Sequence, residues 1–317
     1  MEPGFYDGIL NADYHSGPGV SKSNLDLVAQ APATLEWSRN APTDADAETA
    51  VNIGSAFHAL LLEPEMFEAQ YVADFAPPAG ALVTADDIKA ALVARGIEFK
   101  VSASKGALVA TLLEEDPSAP VAEALQREWA AGVAGRTVLT AGEWRKLWLM
   151  RESVMAHPVA RKLVEAAGAV ERSYYWHDGE TGELCRSRMD KTLTAAGMIL
   201  DVKTTADLGN FARSVGDYRY HVQDAFYSDG YEAVTGEQPK GFVFLAVSTS
   251  RDRARYPVRL FSLDQESKRL GRDEYRLNLR TYAECRATGN WPGVEGLAVP
   301  AWYFAKASEN LRITEGR

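Results

Sequence analysis

The chain has 317 residues, of which 46% are hydrophobic and 25% are charged, and its formal net charge is −10. This composition predicts a globular protein with a sizeable core, and the negative charge excludes a protein that coats nucleic acid by bulk electrostatics. No apolar run approaches the roughly 18 residues of a membrane span, and the first residues do not resemble a secretory signal. Cys185 and Cys285 are too few for a disulfide framework or a four-cysteine metal cluster, so we expect a reduced, cytoplasmic setting.

The first 40 residues predict an arm followed by two short helices. Residues 1–20 are rich in glycine, proline and aromatic residues, which favours extended structure. Ser21 is a good N-cap for a helix over residues 24–29, and Pro32 favours the start of a second helix. Residues 40–50 are polar and acidic, and we expect a loop there.

The next predicted helix, over residues 51–62, carries a histidine. Gly54 and His58 are four residues apart, so they share one face, and a glycine on that face lets another backbone or a ligand come close. A lone histidine on an apolar helix is more often a core residue bonded to a backbone carbonyl. The spacing alone leaves both interpretations open.

Residues 84–115 are interpreted as an insertion. Thr84 caps a predicted helix that Gly96 stops, residues 97–101 are extended, and Ser104 caps a second helix. The unit is similar to small HeH/SAP-like modules, some of which bind DNA, but a helical hairpin that only decorates the core fits equally well. The predicted organisation is therefore an N-terminal part (1–83), an inserted module (84–115) and a remaining core (116–317).

Residues 116–120 are predicted as a linker and residues 121–166 as helices, in which His157 has a capping or packing role. A strand over residues 170–177 and a turn at 178–182 follow. On this strand Glu171 either points at a functional site or forms a surface ion pair with Arg172 or Arg188.

The most informative stretch covers residues 188–205 and predicts a hairpin that turns at Ala195 and Ala196. This register places Asp190 opposite Asp201 and Arg188 opposite Lys203. Like charges directly opposite each other are destabilising, so we expect a cation between the acids or a protonated partner.

Side chains two apart on a strand share a face, which places Lys203 beside Asp201. Two carboxylates and a lysine predict a hard-cation site next to a positive group. An exposed hairpin with charges on its wet face is the alternative. The apolar residues Met198, Leu200 and Val202 argue against it, because they predict a strand that is at least half buried.

The hairpin is followed by a predicted helix over residues 218–235, on which Gln223, Tyr227 and Tyr231 share a face. An aromatic core stripe is the alternative, although a buried glutamine needs a hydrogen-bond partner. Strands are predicted at 242–247 and 258–262, a long helix at 264–288, and an irregular tail.

The two acids with Asp201-Val202-Lys203 resemble the PD-(D/E)xK nuclease superfamily, although Met189 stands where the family usually has proline. The resemblance implies an α/β restriction-endonuclease-like core, with a central mixed sheet flanked by helices, and it implies that Asp190, Asp201 and Lys203 are catalytic.

A narrower resemblance is to RecE-like exonucleases of phages and prophages. It is carried by the order of His58, the two-acid hairpin, and Gln223 with Tyr227, together with the entry segments at residues 21–27 and 31–35. It implies that His58, Asp190, Asp201 and the carbonyl of Val202 bind one or two Mg²⁺ ions, with Mn²⁺ able to substitute. Gln223 and Tyr227 would contact DNA and support the site, and Glu171 would join the DNA-binding set.

The implied function is metal-dependent 5′ to 3′ digestion of linear double-stranded DNA for recombination, in a bacterial or phage-infected cell. The implied partners are double-stranded DNA ends, further copies of the chain in a trimeric or tetrameric ring, and a single-strand annealing protein, with no membrane. A catalytically inactive DNA-binding scaffold of the same fold is the alternative, and the intact set of acids argues against it. A Cas4-like nuclease would need a four-cysteine cluster that two cysteines cannot supply.

Overall fold

The computed structural model describes residues 1–42, 52–294 and 296–307, and its architecture is a mixed sheet flanked by helices. The strands are β1 (Gly4–Tyr6), β2 (Tyr71–Ala73), β3 (Thr137–Leu139), β4 (Ala169–His177), β5 (Leu184–Leu193), β6 (Met198–Thr205), β7 (Gly241–Ser248) and β8 (Val258–Phe261). Six of them form the central sheet in the order β1-β4-β5-β6-β7-β8, and β2 pairs with β3. Within the central sheet β6 and β7 are parallel and the other neighbours antiparallel. The predicted fold class is confirmed.

Most of the helices cover the two faces of the sheet, and two of them form a small unit with its own apolar cluster. In chain order they are α1 (Asn11–Ser16), α2 (Lys22–Gln30), α3 (Pro32–Asn40), α4 (Ile53–Leu62), α5 (Pro64–Gln70), α6 (Ala85–Ala94), α7 (Lys105–Glu115), α8 (Ala122–Gly132), α9 (Ala141–Ala156), α10 (Pro158–Glu165), α11 (Phe211–Asp217), α12 (Tyr220–Thr235) and α13 (Gln265–Thr288). Residues 301–307 are also helical. Within the described ranges, no helix is long and apolar enough to cross a membrane.

Strand β6 lies between two apolar clusters, one on each face of the sheet. Ile199 packs into the cluster that includes side chains of α12 and α13, whereas Leu200 and Val202 pack into the cluster that includes α4 and α9. Residues 199–202 of this strand are buried, so a polar residue among them needs partners. The prediction of a strand that is at least half buried is confirmed.

Helices α6 and α7 have their own apolar cluster, built from Ile88, Leu92, Leu108 and Leu112. Thr84 and Ser104 cap these helices as predicted, because each side chain accepts a hydrogen bond from a backbone N–H in the first turn. The cluster also includes Val121, so the packed unit extends beyond residue 115. The boundaries 84–115 remain a prediction.

Several local predictions differ from the structure. The N-terminal arm contains β1 and α1 rather than extended chain alone, and β1 forms an edge of the central sheet next to β4. Strand β3 interrupts the region 121–166 that is predicted as helical, and residues 97–101 form no strand. The acidic loop at 40–50 and the first residue of the helix at 51–62 fall largely outside the described residues, and that helix begins at Ile53.

Candidate active site

The site is built where strands β5 and β6 separate. The predicted register is confirmed for the pairs from Lys191 with Leu200 to Leu193 with Met198, but the backbone ladder ends there. Beyond it the carboxylate of Asp190 occupies the gap and accepts a 2.6 Å hydrogen bond from the backbone N–H of Val202. The two acids are therefore not a backbone pair, because a side chain replaces the next rung of the ladder.

The predicted placement of Arg188 opposite Lys203 is wrong for the same reason. Arg188 stacks 4.2 Å from the centre of the Tyr14 ring and donates a 2.8 Å hydrogen bond to the carbonyl of Ile9. It therefore ties β5 to the N-terminal segment rather than to β6.

His58 enters the site from α4. Its Nε2 lies 3.1 Å from Asp190 Oδ2 and 3.4 Å from Glu171 Oε1. Burial alone would lower the pKa of the imidazole, but the neighbouring carboxylates outweigh it and raise the pKa to about 9. Gly54 explains how α4 comes so close, since a Cβ there would lie 3.1 Å from Thr204 Oγ1 on β6.

Glu171 also points into the site. Val170 pairs with Lys191 and Arg172 pairs with Met189, which places Glu171 opposite Asp190. The φ of Glu171 is 50°, which is unusual for a residue other than glycine. Burial and the nearby charge of Asp190 raise the pKa of its carboxyl to about 7. The predicted alternative of a pair with Arg172 is wrong, because Arg172 forks onto Asp7 at 2.7 and 2.8 Å. The contact of Glu171 with Arg188 is long, at 3.9 Å.

Asp201 is almost completely buried and has two neighbours that recognise its carboxylate. Lys203 Nζ lies 2.7 Å from Oδ2, and Gln223 on α12 donates a 2.5 Å hydrogen bond to Oδ1. Burial raises the pKa of Asp201 to about 6, despite the opposing charge of Lys203. Burial would lower the pKa of Lys203, but the charges of Asp201 and Asp190 outweigh it and raise the pKa above its usual value. Lys203 is thus an ammonium ion here.

Gln223 has the partner that the sequence requires for a buried glutamine. The residue is only 7% exposed, and its amide supports Asp201. Tyr227, one turn further along α12, is half-buried, and burial raises the pKa of its hydroxyl well above the usual value. Both residues line a groove of about 890 Å³ that also reaches Asp190 and Lys203.

The side chains present fit a divalent cation. Within the described residues, His58 Nε2 and Asp201 Oδ2 are buried and lack a hydrogen-bond partner of suitable geometry, although charged groups lie close to both. Ligand atoms of His58, Glu63 and Glu171 lie within 4.8 Å of one another. Carboxylate oxygens with one imidazole suit Mg²⁺ and Mn²⁺.

Glu63 is the member of this cluster that the sequence did not reveal. It follows the last residue of α4, and a helix end before Pro64 is the only local sign of its position. Glu171 is predicted to belong to the DNA-binding set, but its carboxylate lies 3.4 Å from His58 Nε2, where it could also bind a cation. The carbonyl of Val202 remains a predicted ligand.

The sheet, the two acids and the Asp201-Val202-Lys203 motif define a PD-(D/E)xK-type nuclease fold. The chain itself belongs to the family described as "PDDEXK-like domain of unknown function (DUF3799)", whose family model matches residues 21–298. No curated protein matches the chain.

Two solved structures are similar. One, described as "Putative exonuclease" from Eubacterium rectale, superposes with a TM-score of 0.54 at 11% identity and covers 93% of this chain and 96% of the other. At that identity the likeness concerns the fold alone. The other, a phage-related exonuclease from Haemophilus somnus 129PT, has a TM-score of 0.29 at 12% identity and covers 53% of this chain and 83% of its own.

Proposed function

We propose that the protein is a Mg²⁺-dependent exodeoxyribonuclease of the RecE-like type, acting on ends of linear double-stranded DNA. The observation that carries this proposal is the convergence of Asp190, Asp201, Lys203 and His58, contributed by three separate elements, in one cluster beside a groove. Glu171 and Glu63 add two more carboxylates close to His58. So many acidic groups around one imidazole and one ammonium group are expected where a divalent cation completes the site.

His58, Asp190, Asp201 and the carbonyl of Val202 would hold the cation, with Glu63 and Glu171 beside His58. A divalent ion bound there supplies Lewis-acid stabilisation of charge on the phosphate and lowers the pKa of water.

Lys203 stays protonated through its contact with Asp201, so it donates hydrogen bonds and offsets charge rather than removing a proton. It can orient an attacking water or a phosphate oxygen. Gln223 fixes the carboxylate of Asp201, and the backbone N–H of Val202 fixes that of Asp190.

The preference for DNA ends rests on the resemblance and on charge. A chain of −10 cannot hold DNA by bulk electrostatics, since non-specific affinity depends on phosphate neutralisation by lysine and arginine. A closed ring of three or four copies would enclose the substrate instead. The resemblance adds 5′ to 3′ polarity and a single-strand annealing partner.

The proposal is tested with end-labelled linear duplex and a covalently closed circle of the same sequence, in Mg²⁺ and in EDTA. We expect the linear duplex to lose its 5′ label first, in Mg²⁺ only, while the circle stays intact. Sedimentation should show a trimer or tetramer, and competitor DNA added after initiation should not stop digestion. Cutting of the circle would refute the exonuclease assignment, and binding without hydrolysis would favour an inactive scaffold.

A further inference from the structure

The loop between β7 and β8 is strongly basic in an acidic chain. We define the arginine hairpin as residues 249–259. It contains four arginines and one acidic residue, Asp252. All four arginines are exposed, and within the described residues none forms an ion pair. By contrast, Arg219 and Arg272 near the helices of the core are paired with carboxylates. The arginines of the hairpin are Arg251, Arg253, Arg255 and Arg259.

The hairpin has a fixed shape. Asp252 and Arg255 exchange two backbone hydrogen bonds, of 2.8 and 2.9 Å, across its tip. Arg253 and Ala254 have φ values of 47° and 64°. Two consecutive residues in this region are typical of a tight hairpin turn, and they are strained when neither residue is glycine. Tyr256 is only 7% exposed and anchors the loop in the core.

The hairpin lies on the active-site side of the sheet. Lys203 pairs with Ala246 on β7, and Ala246 pairs with Arg259 on β8. Residues paired across neighbouring strands point to the same face, and strands are about 4.8 Å apart, so Arg259 lies roughly 10 Å from Lys203 on its face. The packing agrees, because Ala246 and Phe261 belong to the same apolar cluster.

The tip of the hairpin extends further from the site. Asp252 is six residues beyond Ala246 along the chain, which at about 3.3 Å per residue gives a reach of at most about 20 Å. That distance is the length of about six base pairs, at roughly 3.4 Å of helix axis per base pair.

We propose that the arginine hairpin binds the phosphate backbone of duplex DNA, within about six base pairs of the bond that is cut. The inference rests on the proposed function for the identity of the polymer. Unpaired, exposed arginines on a rigid support suit phosphate contacts, because the guanidinium group is always charged and binds phosphate oxygens in a forked geometry. An acidic protein surface is the competing partner, and it is an outcome of the test.

The experiment measures the affinity of the full chain for a 20-base-pair duplex by fluorescence anisotropy, in EDTA, between 50 and 200 mM salt. The parent is compared with a quadruple hairpin variant, a tip-only triple variant and a control of the same net charge, and melting temperatures check that all are folded. The tip-only variant spares the contact between Arg259 and the Phe261 ring. The quadruple variant is R251Q/R253Q/R255Q/R259Q, and the triple variant omits R259Q. The control is R39Q/R127Q/R145Q/R161Q, in which each change is at an exposed position on a different helix.

The slope of log affinity against log salt falls by about 0.9 for each lost phosphate contact. Over a fourfold rise in salt, the parent should therefore lose roughly 100-fold more affinity than the quadruple variant. The control should keep the parent's slope. The tip-only triple variant should lose about three contacts, so its slope should be smaller than that of the parent by about 2.7.

Equal slopes for the parent and both hairpin variants on the 20-base-pair duplex would overturn the proposal and favour an acidic protein partner. A parent that binds no DNA would overturn it together with the proposed function. If the slopes of the parent and the hairpin variants differ as predicted but the parent cuts no DNA in Mg²⁺, the proposed hydrolysis is refuted and the hairpin contact is retained.

Discussion

Replacing Asp224 by asparagine should stabilise the protein at neutral pH. Asp224 lies on α12 next to Gln223 and is completely buried. Its Oδ1 accepts a 3.2 Å hydrogen bond from Ser228, but its Oδ2 has no hydrogen-bond partner within the described residues, and Lys268 Nζ is 3.5 Å away. Burial raises the pKa of this carboxyl from 3.8 to about 6, because the charge of Lys268 does not compensate for the lost hydration.

The sign of the pH dependence follows from this shift. The carboxyl ionises near pH 4 in the unfolded chain and near pH 6 in the folded one, so stability is lost as the pH rises between these values. The expected cost to the free energy of unfolding is about 1.5 kcal/mol at pH 5 and about 3 kcal/mol above pH 7. Asparagine has the shape of the protonated acid and cannot ionise, so D224N should avoid that cost.

Urea denaturation at pH 5 and at pH 7.5 measures the difference between D224N and the parent. The gain should roughly double from pH 5 to pH 7.5. Asp229→Asn is the matched control on the same helix, and it should destabilise, because Asp229 accepts a forked contact from Arg272 and a hydrogen bond from Tyr275. A gain that is independent of pH, or a D224N protein less stable than the parent at pH 7.5, would refute the reasoning.

Two further predictions concern the site and the inserted module. His58→Ala should weaken Mn²⁺ binding measured by calorimetry by about one to two orders of magnitude, while the free energy of unfolding changes little. The control, His157→Ala, should leave Mn²⁺ affinity unchanged and lower the free energy of unfolding by about 1 kcal/mol, because His157 Nδ1 caps α10 by accepting a hydrogen bond from the Ala160 N–H. Unchanged metal affinity in the His58 variant would make His58 a core residue. Deleting Thr84–Glu115, with a short Gly/Ser bridge, should leave hydrolysis of short duplexes intact because that unit has its own cluster. Loss of soluble folding would show instead that it belongs to the core.

The sequence predicts best what depends on neighbouring residues. The helix starts at Ser21 and Thr84 are correct because the side chain and the N–H that it caps are three residues apart. The turn after Leu193 is correct for the same reason, and its register follows from it. The side-by-side placement of Asp201 and Lys203 needs only the alternation of a strand.

Features that depend on distant contacts have little local signal, and for Glu171 the sequence leaves the functional site as one of two alternatives. Strand β1 is only three residues long, and its partner in β4 lies about 170 residues away in the chain, so no local pattern marks it. Glu63 joins His58 only because α5 turns away after α4, and Glu171 joins them through the unusual φ of a single residue. The separation of β5 from β6 depends on one side-chain hydrogen bond to Val202, which alternation cannot reveal.

Digestion of the linear end-labelled duplex by the parent and by Asp201→Ala, followed over time with and without Mg²⁺, tests the central claim most directly. The variant loses a buried carboxylate that approaches Lys203 and Gln223, so cleavage should be abolished while circular dichroism and DNA binding persist. The parent should release label only in Mg²⁺. Cleavage by the folded variant at near the parent rate, or equal cleavage by the parent in EDTA, would contradict a metal-dependent nuclease site at Asp190 and Asp201.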